Sequence, residues 1–150
     1  MNKKSFTLVE LLVVIAIISI LAAGLLVGLG TARKKARDAR RIADLRNVQN
    51  ALEAYYAQNN QYPSATDWDG LESALRNAGI TSQLPDDPLG GDHHYDYTDC
   101  DDQQRYILHA QLEDPRNCPP NYSAPTTTNC SDSSISCDCE SDGDFCISFR

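Results

Sequence analysis

One carboxylate lies inside an otherwise apolar segment near the start of the chain. Residues 6–29 are almost entirely apolar, and Glu10 is the only charged residue among them. A helix of roughly 20 apolar residues is long enough to span a bilayer. A charged side chain inside such a span costs on the order of 2.5–3.5 kcal/mol. A simple membrane anchor gains nothing from that carboxylate, so we interpret Glu10 as a residue that meets a positive charge inside a hydrophobic assembly.

Two other interpretations of this segment stay open. The first is a charge near the membrane interface whose side chain extends toward water. The second is a cleavable secretory signal, because residues 21–24 supply the small side chains found at cleavage sites. Both the length of the apolar segment and the presence of Glu10 argue against a secretory signal.

The helical pattern continues well beyond the apolar segment. No proline occurs between Phe6 and Asn59. In the second half of this stretch apolar residues recur every three or four positions, which predicts one apolar stripe on a helix that packs on a globular domain. The stripe contains Ile42, Leu45, Val48, Leu52 and Tyr55 or Tyr56, and the opposite side carries Arg46, Asn47 and Asn50.

The remainder of the chain predicts a small domain that contains both helix and strand. Pro63 disfavours helical geometry at the residue before it, so the long helix ends near Asn59. A short amphipathic helix follows, which Thr66 or Asp67 caps and Gly79 ends. We therefore expect an α+β fold with a long N-terminal helix packed on a small antiparallel sheet.

Three segments with period-two alternation predict the strands of that sheet. The first has Tyr95 and Tyr97 on one face; the second has Tyr106, Leu108, Ala110 and Leu112 on one face and Ile107, His109 and Gln111 on the other; the third has Phe145, Ile147 and Phe149. Between the second and third strands, residues 114–136 form a loop rich in Pro, Ser and Thr that is too polar to form core.

Charge is distributed unevenly along the chain, whose net charge is −8. Residues 67–150 contain four Arg against seventeen Asp or Glu. This acidic domain argues against nucleic-acid binding through its surface. A basic collar next to the apolar segment is predicted to contact anionic lipid, at about 1 kcal/mol per residue. Its members are Arg33, Lys34, Lys35, Arg37, Arg40 and Arg41.

Six cysteines lie in the last third of the chain. An even number confined to a small domain is typical of a disulfide framework in an oxidising compartment, which favours a domain outside the cytoplasm. Six cysteines allow fifteen pairings, and the sequence does not choose among them. Cys137 and Cys139 are only two positions apart, too close along an extended chain to pair comfortably with each other, so each is expected to have a separate partner. A zinc site is disfavoured because no C-x-x-C pair occurs. The six are Cys100, Cys118, Cys130, Cys137, Cys139 and Cys146.

A calcium site is the one cofactor that the sequence suggests. Residues 138–144 place carboxylates at the first, third and fifth positions and Gly143 at the sixth, like the opening of an EF-hand loop. The twelfth position is Phe149 rather than Glu, so the alternative is a solvated acidic turn. The predicted ligands are Asp138, Glu140, Asp142 and Asp144.

No arrangement of residues points to catalysis. Ser, Asp and three His are present, but no nucleophile-elbow motif occurs and no histidine has a predictable partner. We therefore expect that the protein is not an enzyme.

The first residues of the apolar segment also carry a resemblance. Residues 3–12 read Lys-Lys-Ser-Phe-Thr-Leu-Val-Glu-Leu-Leu. This run resembles the N-terminal signature of type IV pilins and type II secretion pseudopilins. In that family a short basic leader is removed just before the Phe, the new N-terminal Phe is usually N-methylated, and the Glu pairs with the α-amino group of a neighbouring subunit. The resemblance implies cleavage between Ser5 and Phe6, methylation of Phe6, and Glu10 as the pairing carboxylate.

The resemblance extends, more weakly, to about residue 113. Tyr62-Pro63 and the loop at residues 84–90 are similar to the helix exit and the following loop of major pseudopilins and their pilin relatives. It implies four regions: a leader at 1–5, a transmembrane and filament-core helix at 6–32, an amphipathic helix half at 33–60 and a globular head at 61–150.

The function that this resemblance implies is that of a pilin. The subunit would first sit in the membrane with its head outside the cytoplasm and then join an extracellular filament made of copies of itself. Its other expected partners are the prepilin peptidase and an inner-membrane assembly platform. One alternative is a type II secretion pseudopilin. Another, from a different class, is a membrane-anchored extracellular binding domain that never polymerises.

Overall fold

The computed structural model describes residues 7–120, 122–131 and 134–148, with the backbone alone for residues 24–28. These residues contain helices α1 (Leu8–Asn59) and α2 (Trp68–Asn77) and strands β1 (Asp96–Cys100), β2 (Arg105–Gln111) and β3 (Asp144–Ser148). A 3₁₀ turn, Pro115–Asn117, lies between β2 and β3. The chain divides into two compact units, Met1–Lys34 and Lys35–Arg150. The second unit holds α2, the sheet and the hydrophobic core.

The C-terminal half of α1 packs one face on the core of the second unit. Leu45, Val48 and Leu52 are buried and belong to the same cluster as the tyrosines of the sheet. Complete burial of such a side chain contributes about 1.5–3 kcal/mol. Arg46 and Asn50 are exposed on the opposite side. The predicted apolar stripe is therefore confirmed.

The three strands form an antiparallel sheet in the order β1-β2-β3. Alternation along β2 separates two faces, as predicted. Tyr106 and Leu108 face the core that includes α1. Ile107 faces away but is also fully buried, because it packs in a second cluster with Cys100 and Cys146. The disulfide-bonded region therefore covers part of the outer face of the sheet.

The loop before β3 covers the free edge of that strand. The Cys146 N–H donates to the hydroxyl of Tyr122 at 3.1 Å. The Asp144 N–H donates to the carbonyl oxygen of Asp138 at 3.2 Å. Covering an edge strand in this way blocks unwanted pairing with other chains. The prediction that residues 114–136 contribute nothing to the core is wrong at Tyr122, whose ring packs on Phe145 at 5.5 Å.

Helix α2 is capped as the sequence suggested. Asp67 is the N-cap, and its carboxylate accepts the Gly70 N–H at 2.7 Å. Leu71 and Leu75 are buried against the core. Beyond the helix, Gly79 adopts φ +71°, a left-handed conformation that glycine tolerates best.

All six cysteines are paired in the structure. The disulfides are Cys100–Cys130, Cys118–Cys139 and Cys137–Cys146. Cys137 and Cys139 have separate partners, as expected. The first bridge joins the end of β1 to the segment between β2 and β3, the second lies within that segment, and the third joins it to β3 itself.

Arg41 lies at the centre of a buried ion cluster. Its side chain is 0% exposed. Its guanidinium donates two hydrogen bonds to Asp87, at 2.6 and 2.9 Å, and one to Asp38 at 2.7 Å. Glu113 accepts a longer bond from Arg41 at 3.3 Å and a bidentate pair from Arg37 at 2.5 and 2.7 Å. The predicted lipid-contacting collar is therefore wrong for Arg41, which is fully buried, whereas Arg37 is partly exposed and pairs with Glu113.

Asp38 connects the same cluster to the backbone after β2. Its carboxylate accepts the Glu113 N–H at 2.9 Å and the Asp114 N–H at 3.2 Å. It also accepts from the side-chain amide of Asn117 at 2.7 Å. With Arg41 included, this fully buried carboxylate has four donors, which offsets the cost of removing it from water.

The surroundings lower the pKa of two carboxyl groups in the cluster. Burial raises the pKa of Asp87, but hydrogen bonds from Arg41 and from the Leu89 N–H outweigh it and hold the pKa below its usual value of 3.8. The pKa of Glu113 is lowered below 4.5, and the largest cause is the hydrogen bond that Arg37 donates to it. Because both values are lower than in the unfolded chain, their contribution to stability is present above pH ~4.5 and is lost as the pH falls through the folded values.

Replacing Arg41 is expected to destabilise the head strongly. In Arg41→Ala, Asp38 and Asp87 remain buried without their cation, and loss of one partner of a buried ion pair typically costs about 3–5 kcal/mol. The matched control is Arg40→Ala. In the wild type the Arg40 side chain is 60% exposed, and its ion pair with Asp44 is long, at 3.5 Å. That change is expected to cost less than about 1 kcal/mol. Unfolding of the full chain by guanidinium chloride in detergent, followed through Trp68 fluorescence, measures the free energy of unfolding of both variants. Equal losses in the two variants would contradict the structural role of the cluster.

Reduction of the disulfides is expected to lower the melting temperature of the head strongly. A native bridge in a small secreted domain typically contributes about 2–5 kcal/mol, because it restricts the unfolded chain. Thermal melts of the full chain with and without reductant measure the effect. Titration of thiols in denaturant without reductant is expected to find close to none. Six reactive thiols would contradict the disulfide framework.

Candidate functional site

Thr7 and Glu10 close the first turn of α1. The main-chain N–H and the hydroxyl of Thr7 both donate to Oε2 of Glu10 at 2.8 Å. In return the Glu10 N–H donates to Oγ1 of Thr7 at 3.2 Å. This reciprocal arrangement is a capping box, which satisfies backbone donors that a helix start otherwise leaves unpaired. The carboxylate also lies near the positive end of the helix dipole.

Thr7, the partner of Glu10 in this cap, was not among the residues predicted for the site. The signal was present, because Thr at one position and Glu three positions later is the capping-box spacing. The Glu10 carboxylate is exposed, and the bonds described for it all go to Thr7, within one helical turn. It can therefore exchange them for another donor without any change in the head.

The first unit presents an apolar surface along the start of α1. From Leu8 to Leu21 the large apolar side chains are between 47% (Val14) and 79% (Leu8) exposed. A continuous apolar surface of this length marks an interaction site. Among the residues whose side chains are described, no helix is long and apolar enough to cross a membrane. The predicted transmembrane segment also includes Phe6 and residues 24–28, which lie outside that set.

The predicted processing site also falls beyond the described part of the chain. Ser5 and Phe6 precede the first described residue, Thr7. Cleavage between them and methylation of Phe6 therefore stay predictions.

The acidic turn before β3 does not form an arranged ligand set. The Asp138 carboxylate accepts the Ser141 N–H at 3.1 Å, and the Asp144 carboxylate faces His109 at 3.2 Å. Glu140 and Asp142 are exposed. Within the described ranges, no group of three or more His, Cys, Asp or Glu is placed to hold a metal ion. We assign no metal ligand among these residues.

Gly143, which suggested a calcium loop, has a different structural reason. It adopts φ +83°, and a Cβ there would lie 2.7 Å from the carbonyl oxygen of Leu112. The Leu112 N–H donates to the carbonyl oxygen of Gly143 at 2.8 Å. The glycine is required because the turn into β3 passes against the end of β2.

Known proteins match part of the chain. Residues 1–26 match the family described as the prokaryotic N-terminal methylation motif. The type II secretion system core protein G of Vibrio cholerae is 35% identical over 105 residues, which are 63% of this chain and 70% of that protein. The corresponding core protein G of Escherichia coli is 32% identical over 104 residues, or 61% and 70%.

A pilus protein also matches. The type IV wide pilus major component PilA4 of Thermus thermophilus is 51% identical over 81 residues, which are 54% of this chain and 57% of that protein. No solved structure matches the chain. The match to the methylation motif includes Ser5, Phe6 and Glu10, the residues that the sequence predicted for processing and assembly.

Proposed function

Because the chain belongs to the family of type IV pilins and type II secretion pseudopilins, we propose that it is the structural subunit of a type IV pilus-like extracellular filament. The relatives are structural subunits rather than enzymes, and the role proposed here is likewise structural. The observation that carries the proposal is Glu10. Its carboxylate stands on an exposed apolar helix, and its described contacts are those to Thr7.

The proposed assembly uses the apolar half of α1 as the filament core. Removal of the leader between Ser5 and Phe6 creates a free α-amino group on Phe6, which is then methylated. Glu10 of one subunit pairs with that amine in the next subunit. Apolar helices alone have little preference for one axial position, because hydrophobic contact is not directional. A single ion pair in apolar surroundings sets the register.

Before assembly, the precursor is anchored in the membrane by its N-terminal segment, with the head outside the cytoplasm. Two features support this part of the proposal: the match of residues 1–26 to the methylation motif, and the cysteines of the head, all of which are disulfide-bonded. The partners proposed for these steps are the prepilin peptidase, an inner-membrane assembly platform and other copies of the chain.

A type II secretion pseudopilin is the second candidate. One observation favours it: core protein G of Vibrio cholerae aligns over 105 residues, whereas the pilus component aligns over 81. The higher identity of the pilus component favours the pilin. Electron microscopy of sheared surface filaments, with mass spectrometry of their subunit, distinguishes the two. Surface filaments made of this chain support the pilin, and a secretion defect without such filaments supports the pseudopilin.

A membrane-anchored binding domain that never polymerises is disfavoured by Glu10. A monomeric anchor gains nothing from a carboxylate in its apolar segment. In such a protein, replacing Glu10 would leave function unchanged, which makes this position the deciding one.

Processing is expected to produce a mature chain that begins at Phe6 with a methylated amine. Intact-mass and N-terminal peptide mass spectrometry of protein from the cell surface measure it. The control is the same chain from cells without prepilin peptidase, which should keep Met1. Met1 in assembled filaments would refute cleavage, and a start near Gly24 would indicate a secretory signal.

Glu10→Ala is expected to insert into the membrane at least as well as the wild type but to form few or no filaments. The change removes an unfavourable group from the apolar segment together with the charge that pairs with the Phe6 amine. Quantitative immunoblotting of membranes and of sheared filaments measures the two effects separately. Wild-type filament levels in Glu10→Ala would contradict the register mechanism.

Glu10→Gln separates the two roles of the side chain. Gln can form a capping box with Thr7 but carries no charge. We therefore expect Glu10→Gln to fail in assembly as Glu10→Ala does. Ser19→Ala is the control, since its hydroxyl bonds only the Ile15 carbonyl oxygen in the same helix, among the described contacts. Assembly of Glu10→Gln at the wild-type level would mean that Glu10 acts through helix capping alone.

A further inference from the structure

One imidazole connects the three strands of the sheet. His109 is on β2, and its Nδ1 lies 2.9 Å from Oδ2 of Asp96 on β1. Its Nε2 lies 3.2 Å from Oδ1 of Asp144 on β3. Asp96 is the direct register partner of His109, and Asp144 is diagonal to it, two residues before the direct partner Cys146. The side chains of His109 and Asp144 are each only 15% exposed.

The protonation state of the ring decides how many of these contacts are favourable. An imidazolium ion has two N–H donors, so it can donate to both carboxylates at once. A neutral imidazole has one donor and one lone pair. In that state one of the two carboxylates faces a ring nitrogen that cannot donate to it, and two partly buried negative groups lose their shared cation.

We propose that His109 is a pH-sensitive clamp that joins β1 and β3 to the central strand through Asp96 and Asp144 when its ring is protonated. The proposal concerns the head alone and does not depend on filament assembly. The clamp holds β3, which also carries the Cys137–Cys146 disulfide. Loss of the ring proton removes the donor to one of the two carboxylates, so only one outer strand keeps its hydrogen bond to the ring.

Other titratable groups lie near the ring and its partner Asp96. The second oxygen of the Asp96 carboxylate lies 3.3 Å from Nε2 of His94. On β2 itself, the neighbours on the same face are the uncharged Ile107 and Gln111. The shallow cavity beside the ring is also lined by Asp87, Asp92 and His93.

The balance of these effects gives the direction of the pH dependence. Burial lowers the pKa of His109, but the hydrogen bonds to Asp96 and Asp144 outweigh it and raise the pKa above the ordinary 6.5. A raised pKa in the folded state means that the clamp contributes fully below pH ~6.5 and loses its contribution as the pH rises through the folded value. Measurements above pH ~5 avoid protonation of ordinary carboxyl groups.

The first test is the titration of His109 in the full chain in detergent micelles. Carbon–proton NMR spectra of the histidine rings, assigned with single His→Gln variants, give the titration midpoint in the folded chain and in denaturant. The folded midpoint is expected to be the higher one. Asp144→Asn, which removes one carboxylate, is expected to lower the folded midpoint. A folded midpoint equal to or below the denatured one would overturn the proposal.

The second test is the pH dependence of stability. Between about pH 6 and pH 8.5, the guanidinium unfolding midpoint of the wild type, read by Trp68 fluorescence, is expected to fall. His109→Gln should lose that pH-dependent part, whereas His93→Gln, an exposed neighbour, should retain it. A slope in His109→Gln equal to that of the wild type would overturn the clamp. Should His109→Gln fail to fold, the NMR midpoints of the wild type and Asp144→Asn decide the question.

Discussion

The buried guanidinium of Arg41 is the interaction on which the arrangement of the head depends. It joins α1 to Asp87, in the loop after α2, and through Asp38 and Glu113 to the segment that follows β2. Hydrophobic burial stabilises the core but is not directional. The ion cluster is directional, because each carboxylate must meet particular donors. We infer that it determines where these two loops dock on the helix, and that the hydrophobic contacts stabilise the result.

The two units satisfy their polar and apolar groups in different ways. Among the described residues, no buried side-chain nitrogen or oxygen is without a hydrogen-bond partner. In the described part of the second unit, even the buried charged residues Asp38, Arg41 and Asp87 have partners from the same chain. The first unit exposes its large apolar side chains from Leu8 to Leu21. Its unmet requirement is apolar contact, which further copies of the same helix can supply.

Periodicity predicted the elements of this fold well, and long-range polar pairing could not be predicted. Leu45, Val48 and Leu52 carried a helical stripe, and Tyr106 and Leu108 carried strand alternation, so local spacing was sufficient for both. A charged side chain is predicted from sequence to be exposed, because a partner that lies far away in the sequence leaves no local pattern. Arg41 and Asp87, for example, are 46 residues apart. The same reason hid the disulfide pairing and the contact between His109 and Asp144, although Thr7 was readable from its spacing to Glu10.

The capping box gives the proposed assembly an order of events. While the leader is attached, the nitrogen of Phe6 is a peptide amide without charge, so Glu10 has no α-amine partner and Thr7 holds it. Thr7 offers the carboxylate only neutral donors, whereas an ammonium group adds its own positive charge, whose attraction to a carboxylate is stronger in apolar surroundings than in water. In the proposed assembly, cleavage turns the nitrogen of Phe6 into an ammonium group and so creates the stronger partner in a neighbouring subunit. On this proposal, Glu10 exchanges Thr7 for that amine only after processing, and we expect assembly to depend on cleavage.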